Sequence, residues 1–207
     1  MGKTYIAANL VRITGLIGTG LQPLKPVMSG YDPGNPETSD AGILLKAANR
    51  PVNEKELDDI SPWRYRAPLA PDLAARLEGK EIDYPALRNF CVAAFGDEPL
   101  LVEGAGGIMS PIAEAHTCLD LASDLNLPLL LVTGSYLGAM SHCLTAVIAA
   151  RSRKCDITAI IVNQSIGTDL TSFCAHLRAF MPDYPIFPIS RPGEEIEFLN
   201  LVRFLDF

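Results

Sequence analysis

The sequence predicts an α/β fold: a mostly parallel sheet with helices on both faces, three layers deep, in a single domain spanning residues 1–207. Three observations lead there. Strand-length apolar runs alternate with helix-length periodic segments along the chain. The strands, such as Leu100–Val102 and Leu129–Val132, are apolar without alternation, as strands buried on both faces are. Polar or glycine-rich stretches follow one strand after another, where open α/β sheets bind ligands.

The elements follow in order. Thr4–Ile17 reads as a helix, with Ala7, Ala8, Leu10, Val11 and Thr14 at helical spacing. Gly18–Val27 reads as a strand and its exit. Tyr31–Thr38 is rich in Gly and Pro and reads as a surface loop, and Asp40–Ala48 as a short helix. Ser61–Pro71, with three prolines and a tryptophan, reads as loop. Leu73–Gly79 and Tyr84–Phe95 are helices, Pro99–Val102 a strand, His116–Leu125 a helix and Pro128–Thr133 a strand. Gly138–Ser152 is a helix, Ile157–Val162 a strand, Asp169–Met181 a helix, Tyr184–Ile189 a strand and Glu195–Leu205 a closing helix.

Bulk properties exclude several classes. The 207 residues suffice for one α/β core and are short for two. Net charge is −7 with no Lys/Arg cluster, which argues against a nucleic-acid surface. Five scattered cysteines without C-x-x-C spacing read as reduced thiols, hence a cytoplasmic chain. No apolar run reaches the roughly 18 residues of a membrane helix.

The chain opens Met1-Gly2-Lys3-Thr4 and runs straight into a helix. Gly-Lys-Thr before a helix is the tail of G-x-x-x-x-G-K-[ST], the phosphate-binding P-loop. Backbone N–H groups at the helix start hold phosphate oxygens. Lys3 would meet the β/γ-phosphates and the Thr4 hydroxyl would ligate Mg²⁺. The fold is then P-loop NTPase-like, and the sequence start cuts through the loop. Met1 stands where many such loops carry Val, and a valine codon can also start translation. In-frame DNA upstream should therefore encode a short apolar strand and a Gly-Thr-rich turn. A true truncation is the rival account and implies poor ATP binding.

Glu103 ends an aliphatic strand and precedes Gly104-Ala105-Gly106-Gly107. A carboxylate there is costly unless paired or metal-bound, and the glycines allow close backbone approach to a ligand. Asp40 begins a short helix, as a second metal carboxylate or as a helix cap. Lys25 lies at a strand exit, where it could stabilise charge on a transferred phosphoryl group, and Ser29 lies in a loop able to reach substrate. These residues describe a Mg-ATP phosphoryl-transfer enzyme without naming its acceptor.

Here the chain resembles the dethiobiotin synthetase family over nearly its whole length. Lys25-Pro26-Val27-Met28-Ser29-Gly30 is similar to the family's K-P-V-x-S-G, Ser39-Asp40-Ala41 to its S-D-A and Val102–Gly107 to its V-E-G-A-G-G. Leu137-Gly138-Ala139 before Ser141-His142 resembles its L-G-x-x-[NS]-H turn, and Val162-Asn163 the strand end carrying its adenine-recognising Asn. The resemblance implies a ligase of biotin biosynthesis that closes a cyclic urea on 7,8-diaminononanoate with CO₂ and ATP. It implies Lys25 and Lys3 as catalytic residues and Thr4, Asp40 and Glu103 around Mg²⁺. Gly2, Gly104, Ala105, Gly106, Asn163, Gln164 and the segment Pro188, Ile189, Ser190 would serve ATP. Ser29, Gly138, Ala139 and Ser141 would serve substrate, the last three from the partner subunit of a homodimer. Asp72 departs from the family, which often has His there. His116 and His142 lack companions at metal spacing and read as structural. The alternatives are a partitioning or maturation ATPase of the same superfamily and an inactive remnant.

Overall fold

The computed structural model describes residues 2–206; Met1, read above as standing for a loop valine, lies outside them. The elements in chain order are α1 (Lys3–Ile17), β1 (Gln22–Leu24), β2 (Val27–Met28), α2 (Asp40–Ala47), α3 (Glu54–Ile60), β3 (Trp63–Arg64), α4 (Pro71–Leu77), α5 (Tyr84–Ala93), β4 (Leu100–Val102), β5 (Pro111–Ala113), β6 (His116–Thr117), α6 (Cys118–Leu125), β7 (Leu129–Gly134), α7 (Ala139–Ser152), β8 (Ile157–Asn163), α8 (Leu170–Phe180), β9 (Ile186–Ile189) and α9 (Glu195–Leu205).

The α/β class and the parallel sense hold. Strands β7, β8 and β9 form a parallel block in that order, and β1 pairs parallel with β4. Strand β8 is central to its block, and its Ile160, Ile161 and Val162 are fully buried. The two blocks are not hydrogen-bonded to each other; β4 and β7 each have one strand neighbour among the described residues. One apolar cluster spans both blocks. Ile6, Leu10 and Ile13 of α1 pack with Leu101 of β4, Leu130 and Val132 of β7, Ile161 of β8 and Leu201 of α9. A second cluster lies under α7 and α8, with Val147, Ile160 and Leu177. A third joins α2, α3 and α5 to the β1–β4 block.

Where the structure differs from the sequence reading, turn chemistry explains it. Gly18–Val27 is not one strand: Gly18 caps α1 at φ 85°, and Pro26 separates β1 from β2. Such a φ suits glycine, and proline offers no ladder donor. Ser61–Pro71 carries the two-residue β3, which pairs with β2 through Val27 and Trp63. Helix α3 lay unread, although Asn53 caps it by accepting from Glu56 N at 3.0 Å. His116–Leu125 divides into β6 and α6 because Thr117 and Asp120 form a reciprocal capping box.

Candidate active site

Strand register assembles the centre. Leu24 pairs with Val102, so the residues that follow them, Lys25 and Glu103, leave parallel neighbours at one level. Glu103 N donates to Leu24 O at 2.8 Å, extending the ladder by one step. The Lys25 ammonium reaches Glu103 Oε1 at 2.8 Å, Asp40 Oδ2 at 2.9 Å and Gly104 O at 3.2 Å. Lys25 is 2% exposed and Glu103 5%, so this is a buried ion pair. Burial opposes the charge on Lys25, but Glu103 and Asp40 outweigh it and hold its pKa above the ordinary lysine value. Burial likewise opposes the Asp40 charge, and Lys25 with the Thr4 hydroxyl overrides it and depresses that carboxyl.

Asp40 is free for this role because it is not the helix cap. Ser39 caps α2, its Oγ accepting from Gly42 N at 3.1 Å. Gly42 permits the approach, since a Cβ there would sit 2.2 Å from Pro36 O.

Helix α1 brings the third side of the cluster. The Thr4 hydroxyl lies 2.9 Å from Asp40 Oδ1 and 2.7 Å from Glu103 Oε1. Gly2 caps α1 at φ 87°, and a Cβ on it would fall 2.2 Å from Asn163 Nδ2. Only glycine suits both the angle and the contact. The Lys3 ammonium makes no hydrogen bond or ion pair among the described residues. Burial, then the Lys25 charge, lowers its pKa. Glu103 and Asp40 act on Lys3 only at longer range, without an ion pair, and an ammonium so placed at a helix N-terminus suits an anion.

The donor set fits Mg²⁺. It offers two carboxylates and a hydroxyl, the hard oxygen ligands that ion takes. Glu103 Oε2 is buried without a hydrogen-bond partner, an arrangement that calls for a ligand. Among the described residues no three His, Cys, Asp or Glu side chains gather at metal spacing. His116 stacks on Tyr84 at 3.7 Å and His142 meets Tyr136 Oη at 2.9 Å, both structural contacts.

The loop after Glu103 approaches closely. Gly106 adopts φ 71°, and Ala105 is buried with its carbonyl accepting from Cys118 Sγ at 3.0 Å. Cys118 is a site neighbour that the sequence reading missed; nothing in its local pattern marked it.

The remaining predicted residues fall into two groups. Asn163 ends β8 beside Gly2, which joins it to the α1 side of the centre. Gln164 donates to Thr168 O and accepts from Arg191 N, both at 3.0 Å. Gln164, Pro188 and Ser190 line a cleft of about 460 Å³ with Thr171, Arg178 and Glu197. Ile189 is fully buried, so its side chain belongs to the core. Ser29, Gly138, Ala139 and Ser141 make no hydrogen bond or ion pair to the Lys25 cluster. Gly138 caps α7 at φ 93°, Ala139 is buried, Ser141 is exposed, and neighbouring Leu137 is fully exposed. Asp72 stands in the first turn of α4 with Oδ1 buried and unpartnered.

Comparison with known proteins decides the family. A family model described as an AAA domain matches residues 1–182. A protein of Phenylobacterium zucineum, named ATP-dependent dethiobiotin synthetase BioD, is 44% identical over 199 residues, covering 93% of this chain and 85% of its own. The chain belongs to the dethiobiotin synthetase family. The Caulobacter vibrioides protein of that name is 43% identical, covering 93% of this chain and 89% of its own. The protein of that name from Acidiphilium cryptum is also 43% identical, over 79% of this chain and 74% of its own. Buried Lys25 and Glu103, with partly exposed Asp40 and Thr4 beside them, thus sit in a chain of the dethiobiotin synthetase family, on segments that resemble that family's motifs. Among the described residues no helix is long and apolar enough to cross a membrane.

Proposed function

We propose that the whole chain, as one domain, carries out ATP-dependent dethiobiotin synthesis with its chemistry centred on Lys25. The observation that carries this reading is the buried Lys25 ammonium, held by Glu103 and Asp40 with the Thr4 hydroxyl between the two carboxylates. Cations fixed at the mouth of a buried strand beside a helix N-terminus suit a reaction that joins two anions.

In the proposed sequence one amine of 7,8-diaminononanoate takes up CO₂ as a carbamate and releases a proton. A carbamate oxygen attacks the γ-phosphate of ATP and ADP leaves, giving a carbamic-phosphoric anhydride. The second amine attacks its carbonyl, the ureido ring closes and phosphate departs. Carbamate and phosphate repel one another, and Lys3 and Lys25 offset that repulsion in a site largely closed to water. Lys3 is suited to the phosphates because no carboxylate pairs with it. Thr4, Asp40 and Glu103 would hold Mg²⁺, which when bound neutralises phosphate charge.

Gly2, the Gly104–Gly106 loop, Asn163 and the segment from Pro188 to Ser190 serve the nucleotide in this reading. Ser29 serves the diamine, and the N-terminus of α7 its carboxylate tail. Exposed Leu137 and the absence of bonds from that turn to Lys25 support a homodimer in which α7 completes the partner's site. The composition and the helix lengths support a cytoplasmic enzyme. The deciding test is ATP turnover with and without diaminononanoate and bicarbonate. Phosphate release must require both; release that ignores the diamine overturns the proposal and favours a partitioning-type ATPase.

A further inference from the structure

The segment Ser190–Glu194, between β9 and α9, has every amide donor taken by a side chain. Ser190 N donates to both Glu197 carboxylate oxygens at 3.1 Å. Arg191 N donates to Gln164 Oε1 at 3.0 Å. Pro192 has no N–H. Gly193 N donates to Tyr5 Oη at 3.0 Å, and Glu194 N to Glu197 Oε2 at 2.8 Å. The carbonyls of Pro192 and Glu194 accept from Ser190 Oγ and Glu197 N. Those of Ser190, Arg191 and Gly193 take no hydrogen bond among the described residues. This loop therefore offers a ligand acceptors and no backbone donor.

Tyr5 links the loop to the phosphate side. It follows Thr4 on α1, and its ring packs edge-on against Phe198 of α9 at 5.8 Å. Gly193 must be glycine: a Cβ there would meet Phe198, Tyr5 Oη and Ile189 at 2.8–3.0 Å.

We propose that Tyr5, Gln164 and Glu197 set base selectivity by occupying the loop's N–H groups, so that it accepts a base bearing an exocyclic amino group and rejects one with a carbonyl there. Adenine presents an amino donor at its six-position. Hypoxanthine presents an oxygen, which would face carbonyl oxygens with no free backbone N–H in the loop to meet it, and an unmet polar pair of this kind is costly. Tyr5 and Glu197 act through the loop as positioning residues and need not touch the nucleotide. The proposal rests on the reading that Pro188–Ser190, which leads into this loop, serves the adenine end of ATP.

The test is calorimetric titration of the full chain with ATP, ITP and inorganic triphosphate. The wild type is expected to bind ATP roughly tenfold more tightly than ITP, about one good hydrogen bond's worth of discrimination. Tyr5→Phe keeps the ring against Phe198 and frees the Gly193 donor. It should narrow the ATP/ITP ratio by about threefold, within the range of one hydrogen bond, and leave triphosphate affinity and Tm unchanged. Gln164→Met frees the Arg191 donor and should move the ratio in the same direction. A wild type that binds neither nucleotide overturns the nucleotide reading and this proposal with it; one that binds ATP and ITP equally overturns this proposal alone. A discriminating wild type whose ratio survives both substitutions overturns this proposal alone.

Discussion

Lys25 and Glu103 stand 78 positions apart in the chain, yet their side chains meet at 2.8 Å because β1 and β4 end in register. Each makes the other tolerable in the interior. An isolated buried charge would be neutralised or expelled, whereas this pair is completed by Asp40, Gly104 O and the Thr4 hydroxyl.

Removing Lys25 should therefore act on both rate and stability. Lys25→Ala is expected to lower kcat by about 10²–10³, the usual effect of deleting one donor to transition-state charge. It also leaves Glu103 buried without its cation, which typically costs about 3–5 kcal/mol. Steady-state assays with chemical denaturation check the two effects separately. Unchanged turnover would remove Lys25 from the mechanism.

The same cluster sets a pH window. The Asp40 carboxyl titrates below its ordinary value of 3.8, so its contribution to stability is present above that value and disappears as pH falls through the depressed pKa. The Lys25 ammonium titrates above its ordinary 10.5, so its contribution is present below that value and disappears as pH rises through the raised one. Melting temperature should show a plateau bounded by these two limbs. Asp40→Asn should flatten the acid limb, and an unaltered acid limb would show that other carboxylates govern it.

Thr4→Val keeps the shape of the side chain and deletes the hydroxyl that bridges Asp40 and Glu103. If these three groups hold Mg²⁺, the concentration needed for half-maximal turnover should rise, while Thr4→Ser should restore it. A magnesium titration of all three proteins makes the comparison, and identical curves would exclude Thr4 as a ligand.

Gly42→Ala tests how tightly the turn before α2 holds Asp40. The new Cβ would meet Pro36 O at 2.2 Å and Glu37 Cα at 2.9 Å, both backbone atoms with little room to yield. Overpacking of this kind commonly costs about 1–3 kcal/mol. Melting should drop and kcat fall with it, because Asp40 follows the Ser39 cap directly. A protein as stable and active as wild type would mean that the turn relaxes freely.

Leu137→Glu places a charge on the fully exposed residue before the α7 cap. If α7 completes a partner's site, light scattering should show more monomer and the KM for the diamine should rise. A dimer that persists with unchanged KM would place the interface elsewhere.

Local patterns carried much of the architecture. The period of α1 and the apolar runs of β4, β7 and β8 are visible residue by residue, because a helix stripe or an unbroken apolar strand needs only its own side chains to declare itself; burial on both faces, which those runs predict, holds for β8, whereas Leu100–Val102 of β4 and Leu129–Val132 of β7 are only partly buried. Local motifs also picked out Lys3, Thr4, Lys25, Asp40 and Glu103: Lys3 and Thr4 complete Gly-Lys-Thr, Lys25 precedes a proline, Asp40 follows a cap and Glu103 precedes a glycine. Short β2 and β3 were not legible, because two residues hold no period and their pairing depends on a partner 36 positions away, Val27 to Trp63. Tyr5 was unreadable for the same reason. Nothing near it hints that its hydroxyl meets Gly193, 188 positions on. The amino-acid order set which groups are available; strand register and the packing of α1 across both sheet blocks decided which of them touch. Hydrogen bonds and ion pairs act over about 3 Å, and only the folded chain brings such distant residues that close.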